Sequence, residues 1–402
     1  MRCILMNHEH ETLAFEVDSA TGKVHNVRPL DGAPWAPLGI LVSWSKPEPL
    51  LEHFIRGRAI QPNRPDLPDI LKATGMQSNL ELSLLSGGFS LSDQYWYRTP
   101  GSKLTWEQAN FFDNEWDPSF GEAVLRRDFD ALSHASIATP NATCGGLCRK
   151  AWILKNGKPH LLKAASIEGG ADSVAEALAS RMLAHILPSD EYVPYEVLIR
   201  DGETYASCQP MVNRDEELVA AWQILSQTGG TRDGQGCGSE LLGAELFEGY
   251  CTALEDFGVA GAKQEVAKMA LAATLTFNRD IHSRNMGVIR TVETGDTRMA
   301  PLFDYDKVFG TSKMEYMDFV CIHPAIAPFM LAAGFSNLNP LWDYSWYDPH
   351  ALDGFESEVA RTLSNCSAIP KGYAQHASQA FVAQLDYVRY VVAQSPSVAS
   401  AS

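Results

Sequence analysis

The segment from Lys150 to Cys208 constrains the fold more than any other part of the chain. Lys150–Lys155 and Pro159–Ala165 are short strand-forming runs on either side of Asn156-Gly157. Both residues of that pair accept positive φ, which a two-residue hairpin turn demands. Val174, Leu178, Met182 and Ile186 then recur at four-residue spacing, so Asp172–Ile186 is expected to be a helix with one apolar face. Tyr195–Arg200 and Thr204–Cys208 flank a second tight turn, Asp201-Gly202. Strand, strand, helix, strand, strand is the layout of a small lobe with one helix laid against an antiparallel sheet.

The rest of the chain arranges itself around that segment. Residues 1–135 form an accessory region, 136–212 the small lobe, 213–395 a mainly helical lobe and 396–402 a short polar tail expected to fray. In the accessory region Cys3–Met6 and Thr12–Val17 read as strands, and Pro49–Gly57 and Asp69–Thr74 as helices. Ser90–Trp116 is rich in aromatics, including Tyr95, Trp96, Tyr97, Trp106, Phe111, Phe112 and Trp116. These either pack the region internally or form a docking surface, and packing is the commoner outcome. In the helical lobe Glu216–Ser226, Glu240–Phe257, Lys263–Phe277 and Ala374–Val392 read as helices. Met286–Arg290 and Met299–Phe303 interrupt them as a hairpin around Glu293–Thr297. Gly229–Gly238 is Gly-rich but lacks the Lys-Ser/Thr ending of a Walker loop, so it reads as a connection. The expected class is α+β and bilobal, with a β-rich N-lobe carrying one main helix, a mainly helical C-lobe and a small N-terminal accessory region.

Composition narrows the function classes. With 402 residues the chain suits two or three domains, and 45% hydrophobic residues can build a sizeable core. The net charge of −17 repels a phosphate backbone, so direct nucleic-acid binding is not expected. No apolar run of about eighteen residues suggests a membrane span, and the acidic, His-containing start does not resemble a signal peptide. The eight cysteines are scattered without CxxC pairs, which fits reduced thiols and a cytoplasmic location.

Chemistry concentrates in Asn278-Arg279-Asp280-Ile281-His282-Ser283-Arg284-Asn285, followed by Pro301-Leu302-Phe303-Asp304. Phosphoryl transfer from ATP needs a carboxylate at the attacking hydroxyl, and oxygen ligands for the Mg²⁺ that bridges the phosphates. In protein kinases the catalytic Asp and the metal-binding Asn lie five residues apart on one loop. Asp280 and Asn285 have that separation, and Asp304 follows an expected hairpin that returns the chain to the same place. Asp280 is thus the candidate base, with Asn285 and Asp304 as metal ligands. Either residue alone would pass for an ordinary turn residue; the combination, placed after a small-lobe pattern, favours the catalytic reading. His282 is either a ligand or base of this loop or a support packed beneath it, and the supporting role is favoured.

Lys163 ends the apolar run Leu161-Leu162 and could reach the α- and β-phosphates, with Glu176 on the following helix as its ion-pair partner. Thr143-Cys144-Gly145-Gly146-Leu147 would cover the phosphates, because Gly145 and Gly146 let backbone N–H groups approach closely. Gln209–Val212, with Gln209 and Met211, would join the lobes and meet the adenine.

These residues resemble the HipA-like kinases. The resemblance rests on Asp280-x-His282-x-x-Asn285, on Phe303-Asp304, and on Arg149-Lys150-Ala151-Trp152 leading to Leu162-Lys163. It extends to a single-chain branch of the family through His53-Phe54-Ile55-x-x-Arg58-x-Ile60-x-x-x-Arg64 and Ser90-Leu91-Ser92-Asp93-Gln94-Tyr95-Trp96. It spans roughly residues 50–310. The resemblance implies a bilobal fold, ATP and Mg²⁺ as cofactors, and phosphorylation of Ser/Thr hydroxyls on a protein substrate. It also implies, for some members, toxin action with a DNA-binding antitoxin partner, and autophosphorylation on a glycine-loop hydroxyl, here matched weakly by Thr143. Tyr305-Asp306-Lys307 departs from the family pattern; Asp306 either assists the metal or faces solvent, and the latter is favoured. Two other readings stand beside a protein kinase: a phosphotransferase for a small molecule or lipid head group, and a non-catalytic nucleotide- or partner-binding module.

Overall fold

The structure, a computed structural model, describes residues 1–40, 46–227, 244–278, 280–281, 284–311, 338, 341–370 and 372–399. Internal contacts divide the chain into two units. The first comprises Met1–Ala164, Gln209–Val219 and Ile289–Asp296; the second comprises Ala165–Cys208, Ala220–Val288 and Thr297–Ser402. The segment expected as one small lobe is therefore shared, with its first hairpin in the first unit and its helix and second hairpin in the second.

The first unit begins with β1 (Arg2–Asn7), β2 (His10–Val17) and β3 (Val24–Pro29). With β4 (Tyr95–Arg98) they form an antiparallel sheet in the order β3-β2-β1-β4. Strand alternation separates two cores. Leu5, Leu13, Phe15 and Val17 pack on Leu51 and Ile55 of helix α1 (Pro47–Gly57). Met6 and Trp96 join Phe89, Trp106, Phe111, Trp116 and Trp152 in the second core. The aromatics of 90–116 thus serve packing: Trp96 is 0% and Trp106 1% exposed.

Helices α2 (Leu67–Thr74), α3 (Asn79–Leu85), α4 (Trp106–Ala109), α5 (Ser119–Arg126) and α6 (Phe129–Ser133) complete the scaffold. Gly121 on α5 permits a close approach, since a Cβ there would strike the Trp152 carbonyl oxygen. That carbonyl belongs to β5 (Lys150–Lys155), which pairs antiparallel with β6 (Lys158–Ala164). Asn156 (φ 55°) and Gly157 (φ 74°) make the turn, as the sequence predicts.

The segment Ser90–Trp96 is also scaffold. Arg58 is buried, forms an ion pair with Asp93, and donates to the carbonyls of Gly88 at 2.6 Å and Tyr95 at 2.7 Å. Its guanidinium lies over the edge-to-face pair of Phe54 and Tyr95, 5.5 and 5.8 Å from their ring centroids. Gln94 donates to the carbonyls of Asn213 and Glu216, and Trp96 to that of His8.

The second unit holds α7 (Ala171–Ile186) and the hairpin of β7 (Glu196–Arg200) and β8 (Glu203–Cys208), turned at Asp201 (φ 51°) and Gly202 (φ 80°). Its helices are α8 (Ala221–Gln227), α9 (Ala244–Asp256), α10 (Ala262–Thr276), Phe355–Ser364 and Tyr373–Ala393. Leu178 and Met182 of α7, Leu271 and Leu275 of α10, Phe355, Val359, Phe381 and Leu385 share one core.

Three expectations are corrected. Glu216–Ser226 is not one helix: Glu216–Ala220 is strand β9, and only Ala221–Gln227 is helical. Leu218 N–H donates to the Ser92 carbonyl, so tertiary pairing overrides the helix-forming composition. In the expected hairpin, β10 (Gly287–Thr291) forms but the return strand β11 is Thr297–Met299, ending before Phe303; Leu302 makes only an isolated bridge with Tyr192. The sheet has three strands in the order β11-β10-β9. The tail is helical over Pro396–Ala399. The helix Phe355–Ser364 was not anticipated. Gly229–Gly238 lies outside the described residues. Among the described residues no helix is long and apolar enough to cross a membrane.

Candidate active site

The loop that carries Asp280 starts where α10 is forced to stop. Phe277, buried, adopts φ 55°, a left-handed conformation that closes the helix with its N–H on the Ala273 and Thr274 carbonyls. Asn278, 2% exposed, then accepts the Asp280 N–H at Oδ1, 2.9 Å away. This side-chain turn reverses the chain within two residues. Asn285 Nδ2 donates to the Asp280 carbonyl at 3.1 Å, so the two ends of the loop are tied together and Asn285 Oδ1 is turned elsewhere. His282 falls outside the described residues.

A second segment is fastened to the same helix end. The chain at Leu302 is held by Val193 N–H on the Leu302 carbonyl (2.9 Å) and Leu302 N–H on the Glu191 carbonyl (2.8 Å). Asp304 follows in the left-handed region at φ 62°, rare for a residue with a Cβ and commonest at functional sites. Phe309 N–H then donates to the Thr276 carbonyl (2.8 Å), and Tyr373 hydroxyl to the Phe309 carbonyl (2.7 Å). The result brings Lys307 to the first loop: its Nζ donates to Asp280 Oδ2 at 2.8 Å. Burial draws the Lys307 ammonium toward its neutral form, but the bond to Asp280 and the charges of Asp280, Asp306 and Asp304 outweigh it and raise its pKa. Asp306 is buried at 9% exposure, against the expectation that it faces solvent.

The donors in this cluster suit a hard cation. Carboxylates and an amide oxygen are what Mg²⁺ takes, and the Lys307 ammonium is a cation the protein itself supplies there. Among the described residues no group of three or more His, Cys, Asp or Glu side chains is set to hold a metal ion by itself. The expected set, Asn285 with Asp304, contains a single carboxylate and leaves coordination to phosphate and water.

The glycine loop lies in the first unit. Thr143 ends a 3-10 turn, is 8% exposed, and donates from Oγ1 to the carbonyls of Phe89 (2.6 Å) and Pro140 (3.1 Å). Its hydroxyl is thus committed to the scaffold and sits before the turn of the loop. Gly146 has φ 96°, and a Cβ on it would collide with Lys150 Nζ. Arg64, 2% exposed, is bound by Asp66 at 2.6 Å and 3.0 Å and donates to the Cys144 carbonyl at 3.2 Å, fixing the start of the loop. Lys150 is paired in register with Lys163 across β5 and β6. Directly opposed residues share a face, so the two ammonium-bearing side chains start from neighbouring positions. Lys163 is 8% exposed. Sequence reasoning did not pair Lys150 with Lys163, although the hairpin register could have found that pairing. Glu176 is on α7 in the second unit, 1% exposed. Gln209 and Met211 lie in the connection after β8, Gln209 exposed and Met211 partly so.

No family model matches the chain, and no curated protein does. Among solved structures it is similar to HipA of Shewanella oneidensis MR-1, in a complex with HipB and its operator DNA. The identity is 12%, the TM-score 0.54, and the match covers 97% of this chain and 98% of that one. The fold is that of the HipA-like kinases. It is mixed, with antiparallel sheets and helical packing, as the sequence predicts. The Helicobacter pylori proinflammatory kinase CtkA also matches, at 12% identity and TM-score 0.45, over 62% of this chain and 91% of that one. Asp280, Asn285 and Asp304 all lie in the second unit, with Asn285 tied to the Asp280 carbonyl and Lys307 joining Asp280 to the segment that follows Asp304.

Proposed function

We propose that this chain is an ATP-dependent phosphotransferase that moves the γ-phosphate of Mg-ATP to a Ser/Thr hydroxyl of a protein. The observation that carries the reading is the loop pair of the second unit: Asp280 tied at its backbone to Asn278 and Asn285, with Lys307 joining it to the Asp304–Asp306 segment. Asp280 accepts the proton of the attacking hydroxyl. Asn285 and Asp304 hold Mg²⁺, which when bound neutralises charge on the phosphates. In the first unit Gly145 and Gly146 offer backbone N–H groups, and Lys163 with Lys150 answers the negative charge of the phosphate chain. Gln209 and Met211 meet the adenine. In this reading residues 136–212 form the nucleotide lobe and 213–395 the catalytic lobe, in the cytoplasm. The fold likeness to HipA supports an antitoxin-type protein partner, while the net charge of −17 argues against direct DNA contact by this chain alone.

The test is incubation of the purified chain with γ-labelled ATP and Mg²⁺ beside Asp280→Asn and Asp304→Ala. Label is expected on the parent or on an added protein acceptor. Asp280→Asn should still bind ATP yet lose transfer by about 100-fold or more, in keeping with removal of a positioned base. Equal labelling by parent and Asp280→Asn would remove Asp280 from the chemistry.

A further inference from the structure

The sequence departs from the family pattern at Tyr305-Asp306-Lys307, and the structure gives that departure a place. Lys307 Nζ donates to Asp280 Oδ2 at 2.8 Å. The lysine side chain is 50% exposed and the aspartate 24%, so the pair is open to an incoming substrate on one side. Lys307 reaches this position because Phe309 N–H is bonded to the Thr276 carbonyl at the end of α10, two residues before the Asn278 turn. The pairing is therefore built from both sides by main-chain hydrogen bonds rather than left to two long side chains meeting in solvent.

A base must present one carboxylate oxygen to the acceptor along the line of transfer, and a carboxylate free to rotate loses that geometry. Asp280 also shares its surroundings with Asp304 and Asp306, which act on the same ammonium. We propose that Lys307 is the positioning residue for Asp280: its hydrogen bond to Oδ2 sets the direction in which the carboxylate meets the acceptor hydroxyl. This inference rests on the phosphotransferase reading. The proton of the acceptor goes to the Asp280 carboxylate, the new O–P bond forms as the bond to ADP breaks, and Lys307 keeps its protons throughout.

The experiment compares full-length parent, Lys307→Met, Lys307→Arg and Asp280→Asn. Mg-ATP affinity is measured by calorimetry, and transfer by label appearing on the chain, on casein as a generic acceptor, and in water. Lys307→Met is expected to bind Mg-ATP within about 2-fold of the parent and to transfer about 100-fold more slowly, the scale of a displaced base. Lys307→Arg, which keeps the cation, should recover most of that loss with KM for ATP unchanged. A merely structural lysine would lower affinity and rate together, and arginine would not rescue it. An active parent with Lys307→Met turning over at the same rate overturns the role of Lys307 alone. A parent that binds Mg-ATP but labels nothing, like Asp280→Asn, overturns the phosphotransferase reading and this inference with it.

Discussion

At the scale of single residues, a costly arrangement outside the site is Glu217 with Arg290. Glu217 is 1% exposed, and Arg290 Nε donates to its Oε1 at 2.7 Å while Asn7 Nδ2 reaches Oε2 at 3.3 Å. Burial pushes the Glu217 carboxyl up, and Arg290 and Asn7 pull it back. Removing one partner of such a pair leaves a charge in the interior, which costs about 3–5 kcal/mol. Arg290→Met is therefore expected to lower the stability of the first unit by that amount in urea unfolding. Glu217→Leu combined with Arg290→Met should recover most of the loss, because the pair's net worth is small even though breaking it is expensive. A single variant as stable as the parent would mean that the carboxylate finds water. The same logic explains why a residue such as Asp304 keeps φ 62°: the surrounding hydrogen bonds at Leu302 and Phe309 hold a conformation that asparagine or glycine would adopt more easily.

At the scale of elements, the glycine loop gives the sharpest test. Gly146 has φ 96°, and a Cβ on it would push the flexible end of Lys150 aside. Gly146→Ala is expected to cost about 1–2 kcal/mol from the left-handed backbone alone. It should also weaken ATP binding by displacing Lys150, read by calorimetry against adenosine, whose affinity should stay unchanged. Equal losses for both ligands would assign the effect to unfolding of the loop. Elements show, too, where the sequence is a reliable guide. The hairpins at Asn156-Gly157 and Asp201-Gly202 and the face of α7 were legible because turn chemistry and periodicity are local. Glu216–Ala220 was not: its Glu, Leu and Ala content favours a helix, yet Glu217 is drawn to Arg290 and Leu218 to Ser92, partners 73 and 126 residues away. The Asp280–Asn285 spacing was legible as a motif. Lys307 was not, because its role depends on Phe309 docking on α10, and nothing in the local sequence encodes that contact.

At the scale of the whole molecule, charge decides how the nucleotide should bind. The chain carries −17 at pH 7, and Asp280, Asp304 and Asp306 concentrate part of it around one lysine. ATP without metal brings still more negative charge to such a protein, whereas Mg-ATP arrives partly neutralised and can share its cation with Asn285 and Asp304. A ligand that binds only the folded state stabilises it by RT ln(1 + [L]/Kd), about 2.7 kcal/mol at 100 times Kd. Mg-ATP near that level should raise the thermal midpoint by several degrees. ATP with chelator should raise it much less, and added salt should narrow the difference by screening the acidic field. Asp304→Ala should abolish the extra shift due to metal while leaving the shift from ATP alone. Equal shifts with and without Mg²⁺ in the parent would remove Asp304 from any metal site and leave the lysines of the glycine loop to bind the nucleotide by themselves.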